Sequence, residues 1–210
     1  LAENSGVEGA KLYAAKGKAF IEKGDFANGE FQIEKSIKLD NTNAESYYYL
    51  ALANSKKRNM SGAIAAYKKS IELDNTNYKA LLDYGLDLKK IKNYDAAIVA
   101  FERALEINPS SGDAAFNLGR IYALKKNLDL AVKHLQTANS LFPENNEISS
   151  ELNNALKARE QYNETRPPIE ITILDFDEIF PSFIGYYSKQ PAGTVTIFNT
   201  KNEVYSDIII

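Results

Sequence analysis

The side chains that carry most enzymatic chemistry are scarce in this 210-residue sequence, which has one histidine, His134, and no cysteine. Without a thiol there is no disulfide, no Cys-based zinc site and no Cys–His pair for nucleophilic attack. The acidic run Asp175-Phe176-Asp177-Glu178 carries oxygen ligands that suit a hard cation. Acids that close a strand more commonly just face solvent, so no metal site is assigned there. No glycine-rich loop is spaced to cradle a phosphate, and Gly17, Gly85 and Gly119 recur as packing glycines. The sequence therefore predicts no catalytic, cofactor-binding or metal-binding constellation, and binding rather than catalysis.

Composition narrows the kind of binding. With 44% hydrophobic and 25% charged residues the chain has the make-up of an ordinary folded protein. Its net charge of -3 argues against a general nucleic-acid binder, which would be basic. No apolar run approaches the roughly 18 residues needed to cross a bilayer as a helix, so direct membrane insertion is not expected. Leu1 stands where a Met would begin a reading frame, which fits either a removed targeting segment or a trimmed chain.

The elements come from a repeat of 34 residues, seen best in Tyr78–Ser111. There Leu81, Tyr84 and Leu88, then Ala97, Phe101 and Ala104, recur at three- and four-residue steps, the mark of two amphipathic helices. The same frame gives units at Ala10–Asn43, Ala44–Asn77, Tyr78–Ser111 and Gly112–Asn145. Gly85 and Ala97 fall where two hairpin helices approach, and a larger side chain would force axes normally about 8–10 Å apart to separate. Phe101 fills the hollow beside them, Ala104 leaves room for the next unit, and Pro109 stops the second helix. The first unit departs most, with Lys16, Gly29 and Ser36 at core positions, as expected of a terminal repeat. Asn146–Tyr162 repeats only a first helix, with Leu152 and Leu156 as its apolar stripe. Residues 146–165 are therefore expected to cap the array, and residues 1–9 to form a disordered leader. His134 falls on a second helix and is expected to be a solvated surface residue.

Four such units in phase resemble the tetratricopeptide repeat (TPR) over roughly residues 10–161. The resemblance implies a mostly α fold, a right-handed superhelix of antiparallel helix pairs, whose concave wall is lined by the first helix of each unit. Carried over position by position, the inward-facing residues include Lys18 in the first unit, and Tyr48, Leu52 and Lys56 in the second. Lys79, Leu82, Leu86 and Lys89 follow in the third, Phe116 and Arg120 in the fourth, and Lys157 on the cap. This amounts to an apolar strip rimmed by cations, which implies a groove for an extended or helical peptide with apolar anchors and some negative charge. A structural alternative is that the strip is inter-helix packing or is covered by the chain's own tail. The TPR subclass that clamps chaperone carboxylates would need basic and amide residues at Ala14, Lys18, Tyr49, Lys79 and Asp83, and only Lys79 fits. That function is not transferred.

At Arg166-Pro167-Pro168 the helical period ends. Ile169, Ile171 and Ile173 alternate with polar residues, and Thr194–Phe198 and Val204–Ile210 are two more β-rich runs. Residues 166–210 are thus expected to form a small C-terminal β segment resembling the opening of an immunoglobulin-like sandwich, as the start of a truncated second domain. A competing expectation is a complete hairpin module whose apolar edge at Ile208–Ile210 drives homodimerisation. The overall expectation is a protein–protein interaction scaffold. The alternatives are the regulatory N-terminal part of a longer enzyme and a β-tail-mediated homo-oligomeriser. A periplasmic or envelope setting is expected from the tail, the absent cysteine and the missing Met, with cytoplasm as its alternative.

Overall fold

Each hairpin is punctuated by the same local chemistry, and that punctuation sets the helix boundaries. The computed structural model describes residues 2–165, which form nine helices and no strand. They are α1 (Ala2–Glu22), α2 (Phe26–Leu39), α3 (Ala44–Lys56), α4 (Met60–Leu73), α5 (Tyr78–Lys90), α6 (Tyr94–Ile107), α7 (Gly112–Leu124), α8 (Leu128–Leu141) and α9 (Asn146–Thr165). From α2 to α8 the residue before each helix is Asp25, Asn43, Asn59, Asn77, Asn93, Ser111 or Asn127, and its side chain accepts the N–H three residues on. Such caps satisfy donors a helix start leaves open and stabilise by about 1 kcal/mol each.

The turn inside each hairpin is equally regular. Asp25, Asn59, Asn93 and Asn127 each donate their N–H, at 2.9 Å, to the carbonyl five residues back. The residue before each of them, Gly24, Arg58, Lys92 or Lys126, is left-handed with φ of 85°, 63°, 62° and 61°. The junctions between units differ in chemistry but not in effect. In place of a proline, Asp40 accepts from the N–H and hydroxyl of Thr42 at 2.9 and 2.6 Å, and Asp74 accepts from Thr76 at 3.0 and 2.7 Å. These side-chain turns compete with the helical ladder and end α2 and α4. They also hold the Asp40 carboxyl below its ordinary range.

Packing follows from the small residues. A Cβ built on Gly85 would stand 2.7 Å from the Phe101 ring, and one on Gly119 2.7 Å from Leu135 Cγ. Facing Ala63, Ala97 and Ala131 are fully buried. The core runs as a series of clusters along the chain: Ile21, Ile33 and Ala53; then Ala51, Ala63 and Tyr67; then Leu88, Phe101 and Leu118; then Ala131, Leu135 and Ala155. Helices touch sequence neighbours, with α1 also meeting α3 and α5 meeting α7. Where the usual alanine is replaced, Ser36 shares a buried 2.9 Å hydrogen bond with Ser46, and Ser70 donates to the Ala44 carbonyl. The Ser36 hydroxyl thus reaches the next hairpin and the Ser70 hydroxyl the first helix of its own, so neither is stranded.

Two expectations are corrected. Residues 2–9 are not an irregular leader: they are the first turns of α1, continuous with Ala10, which is fully buried. No proline interrupts them, and Gly9 approaches Leu39 closely enough that an added Cβ would lie 3.3 Å from it. His134 is half-buried rather than solvated, because its ring stacks on Tyr122 at 5.7 Å and 13°. The chain divides into two compact units, 1–156 and 157–210, and the described part of the second is the last turns of α9. The expected β segment and the acidic run Asp175–Glu178 lie outside the described residues.

Candidate functional site

The first helices of the second, third and fourth hairpins carry the candidate groove residues. On α3, Tyr48 and Leu52 are half-buried, packed against the cluster of Ala51, Ala63 and Tyr67. On α5, Leu82 and Leu86 pack beside Leu81, Leu88 and Phe101, and on α7 Phe116 leans on Ala115 and Ile148. Each therefore contributes to stacking and still offers an outer face. A row of tyrosines links the second and third units through the buried Tyr67, with ring centroids of Tyr48 and Tyr67 6.3 Å apart and those of Tyr67 and Tyr84 6.0 Å apart.

The cations are less available than their number implies. Lys18 lies 3.6 Å from Glu45 and 5.4 Å from the Tyr49 ring, whose hydroxyl and Glu45 together favour its charged form. Lys89 donates to Asn117 Oδ1, and burial together with the nearby Arg120 guanidinium lowers its pKa. Arg120 pairs with Glu147 at 3.2 Å and Glu151 at 3.4 Å while lying over the Phe116 ring. Among the described residues, Lys56 and Lys79 have no carboxylate within ion-pair distance. Lys157 belongs to the second unit and is not placed with the others.

Two acids that the sequence did not single out sit in the middle of this face. Asp83 and Asp87 are one helical turn apart on α5, hence on the same side. The Tyr48 hydroxyl donates to Asp83 Oδ2 at 2.9 Å, and burial pushes the Asp83 carboxyl above its ordinary range. Asp87 is 2% exposed; Lys90 Nζ lies 2.6 Å from its Oδ1, while Oδ2 is buried with no hydrogen-bond partner. Burial and then Asp83 also raise the Tyr48 hydroxyl pKa, and burial with both carboxylates that of Tyr67, so both phenols stay protonated. The signal for the pair was present as an i, i+4 spacing of acids within an apolar stripe. Tyr48, Tyr78, Lys79, Leu82 and Asp83 border a cavity of 380 Å³ that reaches Asp113 on α7. A second, apolar cavity of 480 Å³ lies between α4, α5 and α6, floored by Ile71, Leu81, Tyr84 and Ala100.

Among the described residues no three His, Asp or Glu side chains gather as metal ligands, and no helix is long and apolar enough to cross a membrane. Two family profiles, both of the tetratricopeptide repeat, match the chain, one over residues 10–43 and 44–77 and the other over 92–164. No curated protein matches it in sequence. Among solved structures, the crystal structure of MamA is 28% identical, with a TM-score of 0.62 over 64% of this chain and 79% of that chain. PilF of Pseudomonas aeruginosa is 20% identical, with a TM-score of 0.65 over 75% of this chain and 72% of its own. YrrB, described as a TPR protein with an unusual peptide-binding site, is 24% identical, with a TM-score of 0.59 over 72% and 74%. The likenesses to PilF and YrrB speak for the fold alone. Residues 10–77 and 92–164 are tetratricopeptide repeats, and the described chain is a helical solenoid built from them.

Proposed function

We propose that this protein is a non-catalytic interaction scaffold that holds a peptide or protein segment against the first helices of its repeats. The repeat frame is 10–43, 44–77, 78–111 and 112–145, closed by the helix from 146. The observation that carries the proposal is the half-buried strip of Tyr48, Leu52, Leu82, Leu86 and Phe116, which crosses three consecutive units. Apolar anchors of this kind supply most of an interface's affinity, while rim charges act on orientation and on-rate. YrrB, a TPR protein with an unusual peptide-binding site, lends the proposal support. An envelope or periplasmic setting belongs to the same proposal, and cell fractionation tests it.

Leu82→Glu is the discriminating change, because Leu82 borders the cavity and belongs only to the rim of its core cluster. Partners captured by the intact full-length chain should be lost by this variant while its circular dichroism stays helical. Capture that survives with the helical signal intact would place the binding face elsewhere. Phe116→Glu makes a poorer test, since Phe116 also packs against Ala138 and Ile148.

A further inference from the structure

The cavity bordered by Asp83 has a chemistry of its own, opposite in sign to that expected of the lysine-rich rim. Its walls hold two carboxylates, Asp83 on α5 and Asp113 on α7, and three aromatic rings, Tyr48, Tyr78 and Phe142. Its one cation, Lys79, is exposed and able to turn outward to water. With 380 Å³ it lies near the lower end of ligand pockets, which run from roughly 300 to 1,000 Å³, a size suited to one long side chain.

In the cavity wall two carboxylates face one lysine, and Lys56 and Lys90 act on Asp83 only through space, without bonding it. The Tyr48 hydroxyl holds one Asp83 oxygen, leaving the other as an acceptor. One turn further along the same side of α5, Asp87 is almost fully buried and keeps Oδ2 without any partner. A buried carboxylate oxygen left unmatched is costly, but Asp87 has the Lys90 ammonium at its other oxygen, so the charge open to a ligand of this cavity is that of Asp83 and Asp113. Elsewhere on the face Lys18, Lys90 and Arg120 are already paired to Glu45, Asp87 and Glu147, so the rim contributes less free positive charge than a count of lysines implies. Aromatic faces attract a cation as well, and a guanidinium can bond a carboxylate through two parallel N–H groups.

We infer that this cavity is the specificity pocket of the groove and takes an arginine or lysine side chain of the partner segment, with Asp83 as its counter-charge and Asp113 at its mouth. The inference rests on the reading of the face as a partner site, and it names what that partner must present. An acidic residue at the same point would meet Asp83 and Asp113 with only Lys79 to answer them.

Three acetylated and amidated pentapeptides, Ser-Leu-Xaa-Leu-Ser, with Xaa arginine, norleucine or glutamate, probe this directly. They are titrated into the ¹⁵N-labelled full chain, and the amide shifts of Tyr48, Asp83 and Asp113 are followed. The arginine peptide should bind about tenfold tighter than the norleucine peptide, the size of a partly desolvated charge pair, and the glutamate peptide weakest. Asp83→Asn still accepts the Tyr48 hydroxyl; it should abolish most of the preference for arginine over norleucine. Equal binding of arginine and norleucine, a preference for glutamate, or an arginine preference that survives Asp83→Asn would each overturn the cation pocket while leaving the groove standing. If no peptide moves these amides, the groove falls as a partner site and the pocket with it.

Discussion

The three left-handed residues in the hairpin turns give the most quantitative test of the physical account. Arg58, Lys92 and Lys126 sit at φ near 62°, while the matching place in the first hairpin is Gly24. For an L-residue this conformation costs roughly 1–2 kcal/mol. Glycine removes that cost but gives back about 0.5–1 kcal/mol as chain entropy in the unfolded state. A cation at a helix C-terminus also earns roughly 0.3–1 kcal/mol from the dipole, toward the lower figure for exposed side chains in salt. The balance is a gain of about 0.5 kcal/mol per site. The sites lie in separate hairpins and should add, giving about 1.5 kcal/mol for the triple glycine variant. For a helical unit of this size that is a rise of about 3–6 °C in Tm. Thermal and urea unfolding of the triple glycine and triple alanine variants separates the two opposing contributions. The alanine variant loses the charge but keeps the strain, so it should melt below the wild type, and glycine above it. Gly24→Ala should cost about 1 kcal/mol in the opposite direction. A glycine variant no more stable than its alanine counterpart, or a neutral Gly24→Ala, would refute the reasoning.

Other changes follow from close contacts and from charge. At Gly119 an added methyl would stand 2.7 Å from Leu135 Cγ and 3.1 Å and 3.2 Å from Leu135 N and Ala131 O, atoms of the opposing helix. Backbone cannot step aside, so overpacking of about 1–3 kcal/mol should outweigh about 1 kcal/mol of helix propensity, and Gly119→Ala should melt lower. Gly6, with nothing within 4 Å, should tolerate alanine or gain from it in the same assay. Asp83 has its carboxyl raised above 3.8 by burial, so folding takes up a proton between that value and the raised one. Stability therefore declines as pH rises through this window. Asp83→Asn should be more stable than the wild type above the window and gain nothing below 3.8, as urea titrations across acid pH will read. His134 is depressed below 6.5 mainly by burial, so its contribution is present above 6.5 and lost as pH falls through the lowered value. An imidazole titration by NMR with a midpoint at or above 6.5 would contradict the stacking on Tyr122.

What the sequence made legible was the part that repeats. Glycine and alanine at fixed offsets and the apolar steps recur because every hairpin solves the same packing problem. The helix pairs follow from them directly. The partners across units were not legible, because they join positions that the repeat leaves free. Tyr48 reaches Asp83, Lys89 reaches Asn117, and Arg120 reaches Glu147, each contact spanning roughly one repeat and none required by the pattern. Counting lysines on the inward positions therefore overstated the positive character of the face. His134 shows the same limit within one hairpin: the period placed it on a second helix, but only the hairpin geometry brings Tyr122 over its ring. The first turns of α1 were missed because helix propagation from Ala10 needs no pattern of its own, only the absence of a breaker.

The division between residues that build the stack and residues free to recognise a partner is softer than the repeat implies. Leu82, Leu86 and Tyr48 lie on first helices and each packs on a core cluster, so their apolar character is partly required for stacking. Such a strip is apolar in any solenoid of this kind and discriminates weakly between ligands, since one methylene more or less changes affinity by only about 1 kcal/mol. Discrimination must then come from polar groups that stacking does not demand and that burial makes costly to leave unmatched. On this face that is Asp83, where the desolvation already spent in folding turns a complementary charge into a large advantage and a like charge into a penalty.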